Sequence, residues 1–193
     1  MGARARVPVD KSDMHAMFYD ATAFDQSLAS FNTALVTDMR SMFYFATVFN
    51  QSLANFNTAR VTNMRNMFPF TGAFDQSLAS FNTAHVTDMF FMFTGAAAFN
   101  QSLASFVTSH VTEMGFMFLL TAVFDQLLAH FNTSRVMDMQ GMFDGAVAFD
   151  RLLAGFDTAG VTDMSRMFAG TSVFKGAGLA GWDTASVANT VRR

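Results

Sequence analysis

The segment Phe49-Asn50-Gln51-Ser52-Leu53, with Asn57-Thr58, Val61-Thr62-Asn63-Met64 and Met67-Phe68 after it, returns twenty-five residues later. It reappears as Phe74-Asp75-Gln76-Ser77-Leu78, Val86-Thr87-Asp88-Met89 and Met92-Phe93. The same step reaches Phe24, Phe99, Phe124, Phe149 and Phe174 without an insertion or deletion. A repeat of this length is one coil, which cannot bury its apolar face alone and must stack on its neighbours. The period therefore predicts a repeat solenoid and leaves little room for any other architecture.

The coils delimit the chain. Residues 1–13 read as an irregular N-terminal segment, with Lys11 and Ser12 where later coils carry Val and Thr. Residues 14–193 read as a single solenoid domain of about seven coils. The last is irregular: one residue is added between Lys175 and Leu179, and Trp182 stands where earlier coils have Phe. Within a coil, Thr37-Asp38 followed by Met39, Met42 and Phe43 predicts a short helix, because the three apolar residues share one helical face. Gly95, Gly145 and Gly170 would end that helix in a left-handed conformation. The strand is expected within Phe24–Phe31, with Leu28, Leu53, Leu78, Leu103, Leu128, Leu153 and Leu179 pointing inward. Such strands would form a parallel ladder at about 4.8 Å spacing.

Composition narrows the function class. Half of the 193 residues are hydrophobic, yet they are spaced, and no run approaches the ~20 apolar residues of a membrane-spanning helix. A formal charge of −3 with 12 basic residues gives no polybasic footprint for nucleic acid or anionic lipid. No cysteine is present, which excludes disulfides and thiolate metal sites. Arg4 and Arg6 are followed by no apolar stretch of the kind a secretion signal needs.

The polar files read as structural. Asp25, Asn50, Asp75, Asn100, Asp125 and Asp150 recur once per coil, and each side chain suits a hydrogen bond to a local turn amide. Asp38, Asn63, Asp88, Glu113, Asp138 and Asp163 suit helix starts. Calcium needs six or more oxygens converging on one point, whereas a file offers one per coil. The Met-x-x-Met-Phe unit holds most of the 16 methionines. Soft Cu(I) is a conceivable ligand for them, but flexible thioethers sharing a face with Phe are expected to fill the core. His85 and His110 occupy equivalent places in adjacent coils, and two imidazoles alone make a poor metal site. A metal-binding repeat protein is thus the least favoured alternative, and no metal or cofactor is expected. No phosphate-binding glycine loop or Gly-x-Ser-x-Gly elbow is present, so no catalytic residue is assigned.

Phe-Asn-Gln-Ser-Leu, a later Asn-Thr, then Val-Thr-Asp-Met-x-x-Met-Phe resembles the repeat of BspA-like bacterial surface proteins, across nearly the whole stretch from Met14 to Val187. That resemblance implies a leucine-rich-repeat-like solenoid, short strands stacked with a short helix per coil, and a role in adhesion or protein binding. It implies a cell-surface or secreted location and carries over no catalytic residue. The chain departs from the pattern in having Phe at 31, 56, 81, 106, 131 and 156, where Trp is common, and in showing no evident anchor.

Function is then sought where the period breaks. Coils vary most at Arg40-Ser41, Arg65-Asn66, Phe90-Phe91, Gly115-Phe116, Gln140-Gly141 and Ser165-Arg166. Phe90, Phe91, Phe116, Leu119 and Leu120 make the central coils apolar where outer ones are polar, and such a patch marks a partner-binding surface. The expected function is a non-enzymatic protein-interaction or adhesion module, with the partner's identity open. The chain is also expected to self-associate through an open solenoid end or this lateral patch, Trp182, Val187 and Val191 serving as a partial C-terminal lid. An alternative is binding to an ordered lattice, polysaccharide or ice, through the file Thr33, Thr58, Thr83, Thr108, Thr133 and Thr158.

Overall fold

The computed structural model describes residues 11–187. Asp13, Asp38, Asn63, Asp88, Glu113, Asp138 and Asp163 form an unbroken series of parallel bridges, each residue paired with its counterpart one coil on. The ladder begins at Asp13, inside the segment expected to be irregular.

Around each bridge the backbone alternates between two kinds of hydrogen bond. The N–H groups of Met39, Ser41, Phe43 and Phe45 donate to the carbonyls of Asn63, Arg65, Met67 and Pro69 in the next coil, at 2.9–3.1 Å. The N–H groups of Met42, Tyr44 and Ala46 donate three residues back, to Met39, Ser41 and Phe43. Ser41 and Phe45 are left-handed, with φ of 55° and 58°. The result is a chain of tight turns stacked on identical turns, in place of the short helix expected over 37–43. The i, i+3, i+4 spacing is satisfied all the same: Met39, Met42, Phe43 and Ala46 are all buried. A helix would spend every amide within its own segment, whereas here alternate amides point along the stack and bind the neighbouring coil. Among the described residues the only helical element is a single 3-10 turn, Leu179–Gly181.

The second difference concerns the expected strand. Between residues 24–31 and their counterparts the coils are joined mainly by side chains. The Asp25 Oδ1 accepts the Asn50 N–H at 2.9 Å and the Gln51 amide at 2.9 Å, and Asn50 serves Asp75 and Gln76 in the same way. The Asp25 file thus bridges to the next coil rather than to a local turn. Ring spacings show why. Stacked rings lie 5.9–6.3 Å apart along the Phe24 file, against 5.4–5.8 Å along the Phe18 and Phe43 file. Coils stand further apart where side chains span the gap, and closer where backbone groups meet directly.

The core runs the length of the stack as parallel files of Val, Met, Phe and Leu. Phe43 and Phe68 are 5.5 Å apart and 2° from parallel. Phe118 touches Phe124 across the coil at 4.1 Å. A buried threonine file adds polar cross-links: the Thr58 hydroxyl donates to the Asn82 carbonyl at 3.0 Å and accepts the Asn82 N–H at 2.8 Å. At the C-terminal end Trp182 stacks on Phe156 at 6.2 Å, and Val187 packs partly against the core. Val191, the third expected lid residue, lies outside the described residues. At the other end a cavity of about 420 Å³ is lined by Lys11, Met14, Met17, Ser30, Phe31, Asn32 and Leu35. Among the described residues no helix is long and apolar enough to cross a membrane.

Leu103 is fully buried in a central coil, while Ser105 two residues on is exposed. Leu103→Ala is expected to cost about 2–5 kcal/mol and Ser105→Ala less than about 0.5 kcal/mol in denaturant unfolding. Equal losses would contradict this division of inside from outside.

Candidate functional site

Each coil has two left-handed positions, four residues apart, on the outer side of the turn ladder. The first file reads Ala16, Ser41, Asn66, Phe91, Phe116, Gly141, Arg166, and the second Asp20, Phe45, Phe70, Gly95, Leu120, Gly145, Gly170. Left-handed backbone costs a non-glycine L-residue about 1 kcal/mol or more, and bulky residues there are outliers. Gly95, Gly145 and Gly170 take the conformation without that cost, at φ of 63°, 70° and 69°. Phe45, Phe70, Phe91, Phe116 and Leu120 occupy equivalent positions at φ of 55–58°. The backbone at these positions favours glycine over the large side chains that five of them carry.

Phe90, Phe91 and Phe116 come together as one cluster. The rings of Phe90 and Phe91 lie 4.7 Å apart, those of Phe91 and Phe116 4.9 Å, and Phe90 meets Phe116 edge-on at 5.8 Å. Arg65 caps the cluster, its guanidinium 4.0 Å from the Phe90 ring centre and 3.4 Å from the Asp88 carboxylate. Leu120 stands in the other file and is about half exposed, while Leu119 is half-buried and its carbonyl accepts the Gly95 N–H at 2.7 Å. Of the five residues expected at the patch, the three rings are in mutual contact, while Leu119 and Leu120 lie further along the turn ladder.

Four aromatic residues on the same face escape the sequence reading. Tyr19 stacks on Tyr44 at 5.0 Å, Tyr44 meets Phe45 edge-on at 5.0 Å, and Phe45 stacks on Phe70 at 4.7 Å. Burial, and then the adjacent Tyr19, raise the Tyr44 hydroxyl above its ordinary value. The available signal was the substitution pattern: Phe45 and Phe70 stand where Gly95, Gly145 and Gly170 stand in later coils.

The rings are seated by glycines one coil on. A Cβ on Gly95 would lie 2.5 Å from the Phe70 ring, one on Gly141 2.5 Å from the Phe116 ring, and one on Gly145 2.6 Å from Leu120. Gly115 likewise leaves room for Phe90, at 2.9 Å. Phe70, Phe90, Phe116 and Leu120 thus lean over a neighbour that lacks a side chain, whereas Phe45 and Phe91 lie against another ring.

Beside the patch runs the Asp38 file. Its side chains accept the N–H two residues on, as Asp38 does from Arg40 at 2.9 Å and Asn63 from Arg65 at 3.0 Å. This is the amide-capping role expected of them, set in a turn instead of a helix. Burial, then Asp138 and Asp88, push the Glu113 carboxyl up. Burial, opposed in part by the Gln140 N–H, raises Asp138. Among the described residues no group of three or more His, Asp or Glu gathers closely enough to hold a metal ion. The Thr33 file, offered by sequence for lattice contact, is buried and turned to the next coil's backbone.

Two measurements test this geometry. Gly141→Ala puts a Cβ against the Phe116 ring at a left-handed position, and is expected to cost about 1–3 kcal/mol. Adding Phe116→Ala should return part of that loss, and strict additivity of the two changes would contradict the ring-over-glycine contact. The raised carboxyls set a sign for pH. The native state binds more protons than the unfolded one between the ordinary and the raised values, so this contribution to stability falls as pH rises through that window. Asp138→Asn keeps an oxygen for the Gln140 N–H, as Asn63 does for Arg65. It is expected to raise the melting temperature at neutral pH, with the gain shrinking on acidification. A gain independent of pH would contradict the assignment.

A family model described as "Mycoplasma protein of unknown function, DUF285" matches residues 12–126 and, a second time, residues 101–192. No curated protein and no solved structure matches the chain.

Proposed function

Since this chain belongs to the DUF285 repeat family, we propose that it is a non-enzymatic interaction module whose docking face is the aromatic lane on the left-handed files. Its architecture in this reading is a leucine-rich-repeat-like solenoid of the BspA-like kind, and its role is protein binding or adhesion at a cell surface. The observation that carries the proposal is the placement of Phe45, Phe70, Phe91, Phe116 and Leu120 at positive φ, in files that elsewhere hold glycine. Strained, bulky apolar residues kept on an outer surface are explained by a partner that covers them. The aromatic types are those that dominate interface energetics, and Arg65 over Phe90 supplies a polar rim beside them.

The test is the double variant Phe91→Ser, Phe116→Ser, compared with the native chain by hydrophobic-dye binding, sedimentation velocity and capture of surface proteins. The native chain is expected to bind dye and to associate with itself or retain a protein partner, and the variant to lose both while remaining folded. A native chain that is dye-silent, monomeric at high concentration and indistinguishable from the variant in capture would overturn the proposal.

A further inference from the structure

A different face carries a second site. Arg60, His85, His110 and Arg135 occupy one repeat position in four consecutive coils, and all four are exposed. The ladder register therefore places them in a single file of three coil steps, about 14 Å long. Its ends are uncharged, at Leu35 and Gly160. The other described arginines each hold a carboxylate: Arg40 pairs with Asp38, Arg65 with Asp88, Arg151 with Asp125 and Arg166 with Asp144. Arg60 and Arg135 have no ion-pair partner among the described residues.

We propose that this file binds a linear acidic polysaccharide, laid along the stacking axis with about one carboxylate per coil. The flanking files suit such a ligand. Ala59, Ala84, Ser109 and Ser134 on one side are small, and on the other Thr62, Thr87 and Thr112 are hydroxylated, with an exposed Met137 in the fourth coil. The Thr87 and Thr112 hydroxyls donate to the preceding coil's carbonyl at 3.3 Å, which leaves oxygen lone pairs for sugar hydroxyls. A peptide would find no open edge here, because the N–H groups of Thr62, Thr87 and Thr112 are already bonded between coils. A single-stranded nucleic acid would want aromatic platforms, and the aromatic lane is on another face.

Arg60 and Arg135 set a permanent positive charge at each end of the file, with two imidazoles between them. The nearest charged positions along the coil are Asp88, Glu113 and Asp138, beyond the threonine file, Asp88 being held by Arg65. The Ser109 hydroxyl lies 3.4 Å from the His110 Nδ1. The site is independent of the aromatic lane, so the two proposals fail separately.

The probe is oligogalacturonate, titrated calorimetrically into the full chain at low salt, with neutral dextran and poly-glutamate as comparators. Binding of oligogalacturonate is expected, and it should be lost at high salt. Arg60→Ala with Arg135→Ala should abolish it. His85→Gln with His110→Gln should weaken it, and Arg166→Ala should change nothing. Absence of binding, binding indifferent to the file variants, or equal binding of poly-glutamate would each overturn the proposal.

Discussion

The interactions that join one coil to the next depend on a register of about twenty-five residues. The backbone bridges pair residues at that separation, and the phenylalanine rings stack at it. The Asp25-type oxygens reach residues 25 and 26 positions on, and the buried threonine hydroxyls reach 24 positions on. A slip of one residue would break all four sets together. The polar and apolar parts of the structure thus enforce the same alignment, which is the condition for a single native state.

The same register creates the surface. Because each position repeats in every coil, a side chain on the outer files has the residue 25 positions away as its neighbour. Large and absent side chains can then alternate, as Phe70 with Gly95 and Phe116 with Gly141 do. Charges can likewise be lined up, as Arg60, His85, His110 and Arg135 are. The core files barely vary, so variation on the outer files can accumulate without disturbing the stack. One outer file can thereby change without altering another.

The inward files were legible in the sequence. Val36, Met39, Met42, Phe43, Leu53 and their counterparts in the regular coils are buried, as their unbroken recurrence implied, while Phe168, Leu179 and Val187 in the last coil are only partly buried. Phe90, Phe91 and Phe116 were legible because they break the pattern with apolar residues. Phe45, Phe70, Tyr19 and Tyr44 were not, because an aromatic residue one or two places from an inward Phe looks like more core. The spacing of Met39, Met42 and Phe43 suggested a helix for a related reason. A chain of tight turns presents the same face at the same intervals, and side-chain spacing does not say which carbonyl an amide will find.

What the sequence determined by itself was the period, the set of inward residues and the need for neighbouring coils, since those follow from the recurrence of apolar side chains alone. What the tertiary structure decided was where the coils meet by backbone and where by side chain. It also decided which outer positions are left-handed and which side chains lean over a glycine. Those depend on contacts between residues 25 apart, and such contacts exist only once the coils are stacked.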